Sequence, residues 1–306
     1  MSRLRWLAWG SIAIAAVTAG LVALRSARLA LSVVHPARSP VPPDARAQAL
    51  AEVPTLEDAT LHTADGLSLR AWFSPGSRGA VVIFVHGLWG NRESLFPEAR
   101  LLAQHGYGIL VYDSRASGES DGDLATWGDR EQLDVRAAVD YALSRPEIQP
   151  ARVALLGFSV GASTAAMAMA SDPRLRALVL CATWSSFEDE WRAKFSAWGP
   201  ITRVPAMLAA RWSGVNPDRI RPIDVLGTVG PRPILMIAGT LDDDTPLDVE
   251  RRVFAAASEP KELWVVAGAH HGDYLAVAAP EFESRVVAFL DHALFGQPAT
   301  TGSDAR

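Results

Sequence analysis

The chain has 306 residues, 49% of them hydrophobic, with a net charge of -5 and a single cysteine. It can bury one large core, but it cannot form an intramolecular disulfide or a thiolate zinc cage, and it lacks the basic stripe of a nucleic-acid binder. Such a length suits one α/β enzyme domain as well as two smaller domains.

The run from Trp6 to Leu24 holds nineteen uncharged residues and is closed by Arg25 and Arg28. At about 1.5 Å per residue, a helix of that length spans roughly the 30 Å hydrocarbon core of a bilayer. Trp6 and Trp9 stand at one end, where indoles favour the interface. Residues 1–28 are therefore expected to form a single-pass membrane anchor. The alternative is a signal peptide, cleaved on secretion, for which Ala16-Val17-Thr18 is a poor cleavage site inside the apolar run. Arginines flank both ends, so orientation stays open. Residues 29–55 contain Pro36, Pro40, Pro42 and Pro43 and are expected to be a semi-rigid tether rather than regular helix.

Across residues 56–296 short β-branched runs alternate with helical periods, as expected of one catalytic domain. Ala59–Thr63 and Leu67–Phe73 flank the turn Ala64-Asp65-Gly66 and predict an opening hairpin. Val81–Val85 is apolar throughout, the pattern of a strand buried on both faces of a parallel sheet. Further strands are expected at Gly108–Tyr112, Arg152–Phe158, Ala177–Cys181, Ile234–Ala238 and Glu262–Val266. The intervening helices are expected at Glu93–His105, Asp129–Ser144, Gly161–Ala170, Leu247–Ala257 and Pro280–Ala293. The alternation implies an α/β fold, a doubly wound and mostly parallel sheet with helices on both faces. Cys181 ends an apolar strand and reads as a buried packing residue. Between residues 184 and 231 the alternation breaks, and Trp184, Trp191, Trp198 and Trp212 fall among short helical pieces. This stretch is expected to form a small helical lid whose indoles either pack the lid or line an apolar substrate pocket. The polar tail, 297–306, is expected to be disordered.

Gly157-Phe158-Ser159-Val160-Gly161 matches G-x-S-x-G between an apolar strand and a helix of small residues. That strand–turn–helix context makes Ser159 the candidate nucleophile, raised above the sheet on a sharp turn whose two glycines avoid side-chain clashes. A serine nucleophile needs a base within hydrogen-bond reach and a carboxylate to orient that base. After the strand at 234–238, the carboxylates available are Asp242, Asp243 and Asp244. After the strand at 262–266, the bases are His270 and His271.

These segments resemble the α/β-hydrolase superfamily from about Leu56 to Leu294. The likeness is greatest to its membrane-associated branch, which includes Bem46-like proteins and serine-aminopeptidase-like hydrolases. His86-Gly87-Leu88-Trp89-Gly90-Asn91 resembles that family's H-G-x-x-G-N oxyanion loop. Asp113 to Ser120 resembles its D-x-R-G-x-G-x-S segment, with Ala116 in place of the usual glycine. Gly239 to Pro246 resembles G-x-x-D-x-x-V-P, which selects Asp242, and Gly268 to Asp273 resembles G-x-x-H-G-D, which selects His271 over His270. The resemblance implies a serine hydrolase without cofactor or metal, acting on a small-molecule or lipid-like acyl substrate. That substrate would be a carboxylester, a thioester or an amide. Backbone N–H groups of Leu88 and Val160 would form the oxyanion hole, with His86 and Gly87 shaping its loop. The competing class is an inactive, membrane-tethered binding module on the same fold.

Overall fold

The computed structural model describes residues 3–296. The tail expected to be disordered, residues 297–306, lies outside the described residues. In chain order the elements are α1 (Arg3–Val34), α2 (Ala45–Glu52), β1 (Glu57–His62), β2 (Ser68–Ser74), β3 (Val81–Val85), α3 (Phe96–Gln104) and β4 (Gly108–Tyr112). Next come α4 (Glu131–Ser144), β5 (Val153–Phe158), α5 (Val160–Ser171) and β6 (Ala177–Cys181), followed by the lid helices α6 (Phe187–Lys194), α7 (Pro200–Trp212) and α8 (Pro222–Leu226). The chain closes with β7 (Ile234–Gly239), α9 (Leu247–Ala256), β8 (Lys261–Val266), α10 (Tyr274–Val277) and α11 (Ala279–Phe295).

Eight strands form one sheet in the order β1-β2-β4-β3-β5-β6-β7-β8. The hairpin strands β1 and β2 pair antiparallel, as do β2 and β4, and all other neighbours are parallel. Apolar continuity along β3 has a simple structural cause, since alternate side chains serve different cores. Val81, Ile83 and Val85 pack with Val135 and Ala138 of α4 and Ala162 and Ala166 of α5. Val82 and Phe84 pack on the opposite face with Ala99 and Leu102 of α3 and Val286 and Leu290 of α11. Cys181 is buried on that second face, where burial pushes its thiol pKa up.

The segment before β1 departs from expectation. Helix α1 does not stop at Arg28 but runs to Val34, and its last turns pack against α7, with Ala30, Val33 and Val34 buried beside Ala206, Ala209 and Ala210. Ser26 Oγ donates to the Thr202 carbonyl at 2.7 Å, which ties the two helices. The stretch expected as a tether is likewise fastened to the body. Arg38 donates to the Ser120 and Gly122 carbonyls, and α2 buries Ala45 and Ala49 on the sheet face that carries α3. Residues 29–55 thus lie along the domain, because small residues at helical spacing pack closely where bulky ones could not.

Candidate active site

The carboxyl ends of β3, β5, β7 and β8 deliver the loops that meet around Ser159. Ser159 follows β5 with φ 55° and ψ -120°, a left-handed conformation that costs a non-glycine residue about 1–3 kcal/mol. Its backbone is held there by its own N–H donating to the Cys181 carbonyl at 2.9 Å, and by its carbonyl accepting from Ala162 and Ser163. The neighbouring glycines are required by contact. A Cβ on Gly161 would drive into the Val85 and His86 carbonyls, and one on Gly157 would meet Ala162 Cα at 2.7 Å. Val160 and Gly161 open α5, so their N–H groups have no intrahelical acceptor and face the positive end of the helix dipole.

His271, in the loop after β8, reaches both partners. Its Nε2 lies 3.1 Å from Ser159 Oγ and its Nδ1 lies 2.8 Å from Asp242 Oδ2. The loop after β7 fixes Asp242, whose Oδ1 accepts from the backbone N–H groups of Asp244 at 3.0 Å and Thr245 at 2.7 Å. Tyr274 Oη adds a longer contact to Oδ2 at 3.4 Å. Asp243, Asp244 and His270 are exposed, and His270 engages its loop through a backbone N–H to Asp273. Of the five acid and base candidates, Asp242 and His271 alone join the hydrogen-bonded chain to Ser159.

His86 has both ring nitrogens occupied, one within its own loop and one by the loop after β4. Nδ1 lies 2.7 Å from the Gly87 carbonyl, and Nε2 accepts from the Ser114 N–H at 3.0 Å, an arrangement that fits the neutral ring protonated on Nδ1. Burial holds its pKa below the usual histidine value. Gly87 lies so close to the nucleophile that a Cβ there would meet the Phe158 ring at 3.0 Å and Ser159 Cβ at 3.3 Å. Leu88 and Val160 border the cleft on either side of Ser159.

The fold model for the α/β hydrolase fold matches residues 80–206. An uncharacterised protein of Mycobacterium tuberculosis is 30% identical over 263 residues, which cover 85% of this chain and 86% of that protein. The chain belongs to the α/β hydrolase fold family. A Salmonella typhi protein named YfhR, also uncharacterised, is 28% identical over 78% of this chain and 82% of its own length. Among solved structures, a Pyrococcus furiosus esterase superposes with a TM-score of 0.70 at 24% identity, covering 86% of this chain and 98% of that one. The ferulic-acid-bound Est1E of Butyrivibrio proteoclasticus has a TM-score of 0.60 at 18% identity, covering 76% and 99%.

In this α/β hydrolase the cleft beside Ser159 encloses about 230 Å³ and is walled by Trp89, Trp127, Phe158 and Trp184, with Glu190 and Lys194 of α6 and Thr245. A larger cavity of about 360 Å³ beside α2 and α3 contains neither Ser159, Asp242 nor His271. Trp127 was invisible in the sequence, because it lies in a loop without periodicity and gains its role from tertiary contacts alone. It meets Phe187 and Trp191 edge-on, with centroids 5.5 and 5.6 Å away, and Trp184 at 6.0 Å. The four lid indoles divide between roles. Trp191 packs the lid interior, stacked on Phe187 at 4.5 Å, while Trp184 both packs and faces the cleft. Trp198 and Trp212 do neither and stand exposed on the outer surface.

Proposed function

We propose that this chain is a serine hydrolase that transfers an acyl group from an ester-type substrate to water through Ser159, His271 and Asp242. His271 Nε2 takes the Ser159 proton as Oγ attacks the carbonyl carbon, and Asp242 holds the ring with its Nδ1–H directed at the carboxylate. The N–H groups of Val160 and Leu88 receive the oxyanion. The imidazolium then protonates the leaving group, and water resolves the acyl-enzyme by the same relay run in reverse. The observation that carries the reading is the hydrogen-bonded chain from Asp242 through His271 to Ser159, with both distances near 3 Å.

Several observations support an ester-type substrate. Trp89, Trp127, Phe158 and Trp184 give the cleft aromatic walls, the similar solved structures named above are an esterase and a ferulic-acid-bound Est1E, and the oxyanion and D-x-R segments resemble the Bem46-like and serine-aminopeptidase-like branch. The same reading takes the exposed apolar part of α1 as a membrane anchor. The helix is apolar enough to span from Trp9 to Val34, with a mean hydropathy of 1.6, although a signal sequence would satisfy the same criterion. A fluorophosphonate probe tests the chemistry directly. Labelling at Ser159 that vanishes in Ser159→Ala is the expected result, and no labelling of folded protein would instead favour an inactive binding module. A series of ester, thioester and amide substrates with increasing acyl length then ranks the leaving groups.

A further inference from the structure

Helix α6 carries two ion pairs at the same spacing of four residues. Away from the cleft, Arg192 closes on Glu188 at 2.8 Å, although both side chains are exposed. In the wall of the Ser159 cleft, Lys194 Nζ lies 3.7 Å from Glu190 Oε1, although the Glu190 side chain is only 16% exposed. That separation is too long for a hydrogen bond, and no other group among the described residues hydrogen-bonds either side chain. Buried polar groups are ordinarily satisfied, so a largely buried carboxylate and its ammonium neighbour, left side by side without a hydrogen bond, point to a partner from outside the chain. Burial pushes the Glu190 carboxyl pKa up, against the pull of Lys194.

The pair stands where the cleft meets a second chamber. That chamber, of about 400 Å³, has Trp184, Glu190, Asp244 and Thr245 in common with the cleft. The polar side chains it adds are already engaged. Asp189 accepts from the hydroxyls of Ser185 at 3.0 Å and Ser186 at 2.8 Å, and Arg252 pairs with Asp248 at 2.7 Å. Asp244 is exposed to solvent. Glu190 and Lys194 are therefore the partly buried charges of the cleft wall whose hydrogen-bonding capacity is still open. The aromatic residues Trp89, Trp127 and Phe158 line the cleft but not the chamber, so a substrate meets aromatic surface beside Ser159 and this polar pair on the way into the chamber.

The chemistry of the pair defines what it can hold. An oxygen about 2.8 Å from both Nζ and Oε1 closes a triangle on the 3.7 Å base, so one hydroxyl can donate its proton to Glu190 and accept from Lys194. A carboxylate or phosphate dianion has no proton for Glu190, an ammonium has no lone pair for Lys194, and an alkyl group leaves both unsatisfied. We propose that Glu190 and Lys194 bind a neutral hydroxyl of the substrate and so make the enzyme selective for hydroxylated esters over their alkyl counterparts. This rests on the hydrolase reading of Ser159 and deepens it by naming a substituent of the substrate.

Steady-state kinetics of the full chain test this with 2-hydroxyethyl, 4-hydroxybutyl and 6-hydroxyhexyl butyrate, each beside the ester in which a methyl replaces the hydroxyl. Propyl 3-hydroxybutyrate and propyl 6-hydroxyhexanoate, with their methyl-bearing counterparts, place the hydroxyl on the acyl side instead. At one of these positions kcat/KM is expected to favour the hydroxyl by about tenfold or more, as in sites built to hydrogen-bond a substrate hydroxyl. Glu190→Leu and Lys194→Met should each bring that ratio to within about threefold of one, and Glu190→Gln, which keeps an acceptor oxygen, should retain most of it. If one of the two apolar variants fails to fold, the other carries the test. Glu188→Leu opens the pair on the far side of the same helix and should leave the ratio at the parent value, which separates recognition from helix stability. No preference at any position, a preference that survives in a folded Glu190→Leu or Lys194→Met variant, or an equal loss in Glu188→Leu overturns the proposal alone. A preference for butyrylcholine over uncharged 3,3-dimethylbutyl butyrate assigns the pair to a cation and likewise overturns it. Absence of turnover on every ester together with absence of fluorophosphonate labelling overturns the hydrolase reading and the proposal with it. Labelling without turnover of any hydroxylated ester overturns the proposal alone.

Discussion

The floor and the roof of the Ser159 cleft are built by different means. On the floor, backbone groups hold the polar atoms: Asp242 accepts from two consecutive loop N–H groups, Ser159 is pinned to the Cys181 carbonyl, and both His86 ring nitrogens meet backbone groups, at Gly87 and at Ser114. The roof is held by side-chain contact between Trp127, Trp184, Phe187, Trp191 and Phe195, and the indole N–H groups of Trp127, Trp184 and Trp191 are buried without a hydrogen-bond partner. Hydrogen bonds to backbone fix positions to within tenths of an ångström, whereas aromatic packing tolerates exchange of one shape for another. Such a division keeps the hydrogen-bonded chain through Ser159 rigid while leaving the shape of the cleft free to vary.

The floor yields the largest expected effect. Ser159→Ala, His271→Ala and Asp242→Ala should each lower ester turnover by about 10³-fold or more, and Ser159→Ala combined with His271→Ala should be little worse than either alone, because the three act as a unit. Asp243→Ala, Asp244→Ala and His270→Ala should stay within about threefold of the parent. Steady-state kinetics on the six single variants tests this. A dead His270→Ala beside an active His271→Ala would reverse the assignment of the base.

On the roof, Trp191→Ala should cost stability rather than chemistry. The indole is buried between Phe187, Phe195 and Trp127, and truncating a core aromatic costs about 3–5 kcal/mol. Denaturant midpoints measure it, and the ratio of kcat/KM values for short and long acyl chains should shift in the surviving folded fraction. A Trp191→Phe variant should recover most of the stability. If Trp191→Ala is as stable as the parent, the roof is not the packed unit described.

Glu250 is the exception to the rule of the floor. It is fully buried in α9 with neither carboxyl oxygen well hydrogen-bonded, and burial, aided by the nearby Asp242 carboxylate, pushes its pKa up to about 9. An acid whose folded pKa lies above its unfolded value of 4.5 is neutral in the native state while the unfolded chain has already lost the proton. Its effect on stability is therefore absent below about pH 4.5, and stability falls as pH rises from there toward 9. Replacing Glu250 by Gln removes that dependence. Urea titrations should find the Gln variant more stable at pH 8 by on the order of 2 kcal/mol and nearly equal to the parent at pH 5. Equal differences at both pH values would refute a neutral Glu250.

Legibility in the sequence followed the kind of force at work. Strands buried on both faces, such as Val81–Val85, Gly108–Tyr112 and Ala177–Cys181, have the bounds expected of them, because unbroken apolar runs have no other stable setting in a soluble sheet. The family resemblance selected Asp242 and His271, which lie in one hydrogen-bonded chain with Ser159. The packing of residues 29–55, expected as a tether, was not legible, since the prolines masked the small-residue spacing of Ala30, Val33 and Val34 and of Ala45 and Ala49. A truncated chain lacking the apolar run Trp6–Leu24 should consequently begin near Arg25, keeping the turns that pack on α7, and not near Val53. The roof was the least legible part, because Trp127 joins the lid from a distant loop and no local pattern announces a contact made only in three dimensions.

The smallest expected effect concerns Ala116, where the chain departs from the glycine of the resembling segment. Ala116 is buried with φ 60°, and its N–H donates to the Asp121 carbonyl at 3.0 Å. A left-handed conformation costs an L-residue about 1–2 kcal/mol, which Ala116→Gly would relieve. Against that gain stand about 0.8 kcal/mol for the lost burial of a methyl and about 0.5–1 kcal/mol for the greater unfolded-state freedom of glycine. The terms nearly cancel, so Ala116→Gly should move the denaturant midpoint by less than about 0.5 kcal/mol in either direction, with turnover unchanged. Ala116→Val adds branching at Cβ in the same conformation and has no offsetting gain, so it should cost about 2 kcal/mol or more. A stabilisation above about 1 kcal/mol on glycine substitution would mean that this turn stores strain of the kind Ser159 carries, so that left-handed backbone strain extends beyond the floor of the cleft.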